Sequence, residues 1–263
     1  MYRKMTPIFI LIILTLIFGF YFFNSHSINT NLLQSKDTED VQNILATADV
    51  YLENGQYQEA LNAYNRAIQT GKNLGEAYAR RGNYYANTRH YDQAVADYTM
   101  SLSYEKNSEV YASRCNSYRM LAKINEALSD CNKAIETDPN NVDAYIALAA
   151  LNLQEQNLTQ ARDEVGKALK IDPTSAKAYY VLAQVEIADN HGDRAVEDLT
   201  KCIELDPTNP IYYWDRGYIY YSSGKIDEMK SDMQMILKVG NPNKDGELLL
   251  RAGNMLRAVG ENP

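Results

Sequence analysis

Three Asp-Pro pairs constrain this chain more than any other feature. Asp138-Pro139, Asp172-Pro173 and Asp206-Pro207 follow one another at intervals of 34 residues, and a tyrosine (Tyr145, Tyr179, Tyr213) lies six residues beyond each proline. No helix or strand has a period that long, so a whole structural unit must repeat. With Val41 as the first position, further units begin at Gly75, Ser108, Val142, Ala176 and Pro210, the second being one residue short. Position 4 reads Ile44, Tyr78, Tyr111, Tyr145, Tyr179 and Tyr213. Position 8 is small throughout: Ala48, Gly82, Cys115, Ala149, Ala183 and Gly217. Position 20 is Ala60, Ala94, Ala127, Ala161 and Ala195, then Met229.

Each of these positions has a mechanical reason. Positions 4, 7, 8 and 11 share one helical face, as do positions 20, 24 and 27. Two helices joined by a turn near positions 14–16 pack antiparallel, and small residues at 8 and 20 let their axes approach. Gly55, Gly192 and Gly224 fall near that turn, as glycine does where the chain must reverse. Proline at position 32 stops the second helix. Asn141, Ser175 and Asn209 suit the cap of the next one, and Pro210 suits its first turn. Thirteen of the 21 tyrosines sit at positions 4, 11, 17 and 24, so the tyrosine excess reads as packing. Asn152 and Glu186 break the aromatic pattern at position 11. They read as a partly solvated seam or, alternatively, a soft joint or polar contact.

The 34-residue period, the helix–turn–helix layout and the small, aromatic and proline pattern resemble tetratricopeptide repeats. The resemblance covers residues 41–243 as six units: 41–74, 75–107, 108–141, 142–175, 176–209 and 210–243. Tyr-x-x-Arg-Gly-x-x-Tyr at 78–85 and 213–220 is similar to a common form of the family's first helix. It implies an all-α, right-handed α-solenoid whose concave face is lined by first helices and holds a protein or peptide segment. Residues 244–263 add a capping helix and tail, because Leu248, Arg251, Ala252 and Met255 repeat the first-helix spacing and a solenoid needs its last apolar face covered.

On that resemblance the groove carries positions 2, 5, 6, 9, 12 and 13. The candidate partner-binding residues are Arg80, Asn83, Asn116 and Arg119 in a polar front half, and Tyr180, Gln184, Trp214, Tyr218 and Tyr221 in an aromatic back half. Arginine and aromatic side chains are the common anchors of interfaces. The alternative for Trp214, Tyr218 and Tyr221 is packing along the helix or under the cap. The carboxylate clamp of the chaperone-binding members needs Lys and Asn on successive first helices. Position 5 here is Leu45, Ala79, Ala112, Ile146, Tyr180 and Trp214, so that clamp is missing as a set.

Composition narrows the function class. The net charge is −8, and no dense Lys/Arg run marks a nucleic-acid surface. Three cysteines are too few for a disulfide scaffold and lack zinc-ligand spacing. Cys115 and Cys131 occupy positions 8 and 24 of one unit, nearly opposite across the antiparallel pair. They read as a disulfide in an exported domain or as two small core residues, and Cys202 reads as core. No nucleophile elbow, phosphate loop, metalloprotease helix or Cys-x-x-Cys is present. The reading is a non-enzyme with no cofactor and no metal.

The first 23 residues stand apart. Pro7 to Phe23 is uncharged and almost wholly apolar. As a helix it would span roughly 25 Å, slightly under the ~30 Å core of a bilayer. Arg3 and Lys4 precede it and little positive charge follows. This places the N-terminus in the cytoplasm and the repeats across the membrane. Residues 1–23 therefore read as a signal-anchor or transmembrane segment, with 24–40 as a polar tether. A cleaved signal peptide releasing the repeats to the periplasm is the alternative. The whole reads as a bacterial inner-membrane scaffold or accessory factor for an envelope complex. An immunity protein masking a secreted toxin, and an organelle outer-membrane import receptor, are the alternatives.

Overall fold

The structure, a computed structural model, describes residues 40–261. The apolar segment at 7–23 and most of the tether lie outside the described residues. Among those described, no helix is long and apolar enough to cross a membrane.

Thirteen helices follow one another and the described residues contain no strand: α1 Val41–Glu53, α2 Tyr57–Gln69, α3 Leu74–Asn87, α4 Tyr91–Tyr104, α5 Ser108–Met120, α6 Ile124–Thr137, α7 Val142–Gln154, α8 Leu158–Ile171, α9 Ala176–Ala188, α10 Gly192–Leu205, α11 Pro210–Ser222, α12 Ile226–Val239 and α13 Pro242–Ala258. Odd and even helices up to α12 pair within a unit, and each unit packs on the next. The expected close approach is made by the small residues. Ala48, Ala60, Ala94, Ala127, Ala149, Ala161, Ala183 and Ala195 are fully buried. At Gly82 an added Cβ would lie 2.7 Å from the Tyr98 ring, so even alanine would push the pair apart.

The seams are built by short side chains. Asp172 Oδ1 accepts from the Thr174 amide (2.9 Å) and hydroxyl (2.7 Å), and Asp206 does the same with Thr208. Asp138 accepts from the Asn140 amide at 2.9 Å. An aspartate closing its own turn, followed by a proline that cannot continue the helix, is the physical content of the Asp-Pro period. Asn141, Ser175 and Asn209 then cap α7, α9 and α11 through backbone amides, and Pro210 opens α11. The Tyr213 hydroxyl donates back to the Pro207 carbonyl at 3.0 Å, tying a packing tyrosine to its own seam.

The turn inside each unit places position 15 in the left-handed region. Gly55 and Gly224 occupy it in the first and last units, but Arg89, Ala122, Gln156 and Asn190 hold it in the others, with φ between 54° and 63°. Gly192 is not a turn residue: it opens α10. The cap begins slightly earlier than expected, at Pro242, bends at Asp245 and buries Ala252 and Leu256 against Met229, Met233 and Ile236.

A polar device runs through three of the units. At position 7, Arg81, Arg114 and Arg216 each make two hydrogen bonds to the position 23 aspartate, Asp97, Asp130 or Asp232, over 2.6–3.0 Å. The third arm donates to position 25 of the preceding unit: Asn65 (2.7 Å), Thr99 (2.8 Å) and Thr200 (3.0 Å). Tyr78 and Tyr85 flank Arg81, Tyr111 and Tyr118 flank Arg114, and Tyr220 lies beside Arg216, with ring centroids 5.5–5.8 Å away. The tyrosines of positions 4 and 11 thus sandwich a guanidinium as well as filling space.

Candidate functional site

A groove of about 960 Å³ runs along the first helices of units two to six. The solenoid presents chiefly the first helices α3, α5, α7, α9 and α11 to it, joined by Tyr98 and Ser101 of α4 and by residues of the seams. Arg80, Asn83, Asn116, Arg119 and Tyr180 all line it. Its floor is supplied by residues that the sequence does not single out: Ile146, Ala147 and Ala150 on α7, Val181 on α9, and Ile211 and Tyr212 on α11. The first group comes from unit four, at positions 5, 6 and 9. The signal is there, but alanine at a helix position reads as packing rather than as a binding floor.

The other candidates lie elsewhere. Gln184 and Tyr180 both donate to Asp215 Oδ2, at 3.1 and 2.9 Å, so they link α9 to α11. Burial raises the Asp215 carboxyl, against those two donors. Trp214 packs against the buried Met229–Met233 cluster under the cap. Tyr218 and Tyr221 are exposed, 59% and 48%, and do not line the groove. Glu76, Glu109, Asp143 and Lys177 complete its polar wall.

The two groove arginines differ. Arg80 is paired with Asp49, and its Nη2 lies 2.6 Å from Glu76 Oε1. Burial alone would lower it, yet Glu76 and Asp49 outweigh burial and hold it above its ordinary value. Among the described residues, Arg119 donates to neutral acceptors, Asn116 Oδ1 at 2.8 and 3.1 Å and Gln154 Oε1 at 3.2 Å, besides a sulfur contact to Met120. Burial pushes its pKa below the ordinary arginine value.

Cys115 and Cys131 are joined, with Cα atoms 5.4 Å apart. This cross-link fixes α5 against α6 directly behind Asn116. Cys202 is free and buried, and burial pushes its thiol up to about 12. One cluster outside the groove brings Glu186, Asp189 and His191 close enough to share an ion. Arg162 already bonds both carboxylates, at 3.0 Å to Glu186 and 2.8 Å to Asp189. The guanidinium therefore supplies the positive charge that a metal would bring.

Family models described as tetratricopeptide repeat match residues 45–106, 121–185 and 176–209, together more than half of the chain. The chain belongs to the tetratricopeptide repeat family. This repeat protein is similar to a thermophilic tetratricopeptide repeat protein of Thermus thermophilus, with a TM-score of 0.62 at 20% identity over 70% of this chain and 99% of that one. It also resembles a chain of the APC/C hetero-tetramer Cut9–Hcn1, with a TM-score of 0.64 at 17% identity over 87% of this chain and 46% of that one. Identities this low show the fold alone. Among curated proteins, it is 32% identical over 91 residues to the DnaJ homolog subfamily C member 7 homolog of Dictyostelium discoideum, covering 33% of this chain and 17% of that one. It is 35% identical over 95 residues to the human mitochondrial import receptor subunit TOM70, covering 34% and 14%. The chain thus spans under a fifth of the length of these relatives.

Proposed function

We propose that this repeat protein is a membrane-anchored scaffold that holds a segment of a partner protein in its concave groove, as an assembly or accessory factor of a bacterial envelope complex. The observation that carries the binding reading is the groove itself. It is a continuous concavity with an apolar floor from Ile146, Ala147 and Ala150 and a polar wall from Arg80, Asn83, Asn116 and Arg119. Small side chains on the floor leave room for those of a partner, and polar walls fix its register.

Two features support the compartment. The apolar segment with Arg3 and Lys4 before it favours export of everything that follows. The Cys115–Cys131 cross-link belongs to an oxidising space, and it weighs against repeats facing a cytosol. Cross-linked capture of the full-length protein from its own membranes tests the binding reading, run beside Ala150→Arg in the groove and Asn132→Arg on the exposed side of α6. Partners lost from the first variant and kept by the second support the groove. Partners kept by both place binding on another face. A reporter at the C-terminal end, active only outside the cytoplasm, tests the orientation.

A further inference from the structure

Among the described residues, Arg119 is the groove cation without a carboxylate partner, whereas Arg80 pairs with Asp49 and Glu76 and Lys177 with Asp143. Among the described residues no carboxylate lies within ion-pair distance of Arg119, whereas Arg80, Arg81, Arg114, Arg162 and Arg216 each have at least one. Three hydrogen bonds to the amide oxygens of Asn116 and Gln154 hold the guanidinium in place. They fix its direction without cancelling its charge. A guanidinium only donates, so the Asn116 oxygen must face it, and the Asn116 amide N–H groups are left as donors in the groove wall. Leaving a partly buried cation without a counter-charge is costly. The cost is recovered when a ligand brings the anion.

The neighbouring helix shows what else the ligand carries. Arg119 reaches across from α5 to Gln154 on α7, and α7 supplies the apolar floor of Ile146, Ala147 and Ala150. A cation and an amide donor therefore stand beside a shallow apolar bed. The groove continues past Arg119 in both directions, from α3 to α11, so a bound chain runs through rather than ending there. Resting on the groove reading above, we propose that Arg119 and Asn116 form a recognition site for an Asp or Glu side chain within an extended partner segment, with an apolar residue of the same segment seated on Ala147 and Ala150.

A phage-displayed library of random peptides, presented without free C-termini, tests this against the full-length protein and against Arg119→Gln. The wild type should enrich an acidic residue at fixed spacing from an apolar one. Arg119→Gln should lose the acidic preference and keep the apolar one. For an enriched peptide, replacing its Glu by Gln should weaken binding roughly tenfold to a hundredfold, the range for a charge-assisted hydrogen bond. The same replacement should cost Arg119→Gln little, and Arg119→Lys should recover part of the binding. Equal binding of the acidic peptide by wild type and Arg119→Gln overturns the proposal, as does enrichment with no acidic position. Tighter binding of the same peptides with a free C-terminus in place of the acidic side chain also overturns it, in favour of a terminal carboxylate. If no peptide binds in the groove at all, the groove reading fails and this site falls with it.

Discussion

Units two, three and six are knitted by a device that units four and five lack. In the first group the position 7 arginine grips its own second helix and the second helix of the preceding unit, between two tyrosines in units two and three and beside Tyr220 in unit six. In the second group that position is Leu148 or Leu182, and the aromatic of position 11 is Asn152 or Glu186. The arginine and its covering ring are lost together, which is why the pattern breaks at position 11. The acid at position 23 stays behind. Glu164 pairs with Lys167 through one oxygen and leaves the other buried without a hydrogen-bond partner. Burial, with Glu186 and Glu197 nearby, pushes Asp198 up to about 6. A different arginine, Arg162, reaches forward from α8 to Glu186 and Asp189. The same fold is thus held by pairs buried inside a unit in one region and by a pair bridging two units in the other. The α7 part of the groove floor, Ile146, Ala147 and Ala150, sits where the knitting is absent.

The largest effect is expected from cutting a knitted unit. Arg114 and Asp130 are 12% and 3% exposed, so Asp130→Ala leaves a buried guanidinium without its anion. It should cost about 3 kcal/mol or more in chemical denaturation. Arg114→Leu combined with Asp130→Ala should recover much of that loss. A single variant no worse than the double would break the comparison. Next comes the cross-link. Cys115 and Cys131 close a loop of 16 residues, so replacing both by alanine should cost about 3 kcal/mol in the chain-entropy account. The loss should be confined to protection of α5 and α6 in hydrogen exchange.

A smaller gain is expected at the turns. Ala122 carries φ 54° in unit three and Asn190 φ 60° in unit five. Alanine loses about 1–2 kcal/mol in that region, whereas asparagine tolerates it. Replacing Ala122 by glycine should therefore raise stability by about 1 kcal/mol, and Asn190→Gly by clearly less. The smallest effect is on pH dependence. Asp198 binds its proton more tightly folded than unfolded, so the stability it contributes is present at acid pH and fades as pH rises through about 6. Asp198→Asn should flatten that fall between about pH 4 and 7 in thermal melts, and an unchanged slope would contradict it.

Helix order, seams, caps and the small-residue contacts are legible in the sequence because each rests on a residue type at a fixed spacing: alanine at position 20, Asn141 and Ser175 before a helix, Pro139 after one. The arginine network is not legible, because its partners lie 15 or 16 residues before it and 16 after it, and polar residues at that distance look like ordinary surface. The turn is blurred because Arg89, Ala122 and Gln156 hold a left-handed backbone that glycine would advertise. In the groove, Arg80 and Arg119 look alike in sequence. Only the positions of Asp49 and Glu76 show that one is neutralised and the other is not. Trp214 shows the converse: its position fits a groove anchor, but the cap draws it into the C-terminal core.

The central claim, that the concave groove is the working surface, is tested most directly by a photo-activated cross-linking residue placed at Ala150 on the groove floor and, separately, at Asn132 on the outside of α6. The account predicts a discrete cross-linked partner from Ala150 in native membranes and none from Asn132. A partner captured from Asn132 while Ala150 stays silent would contradict it.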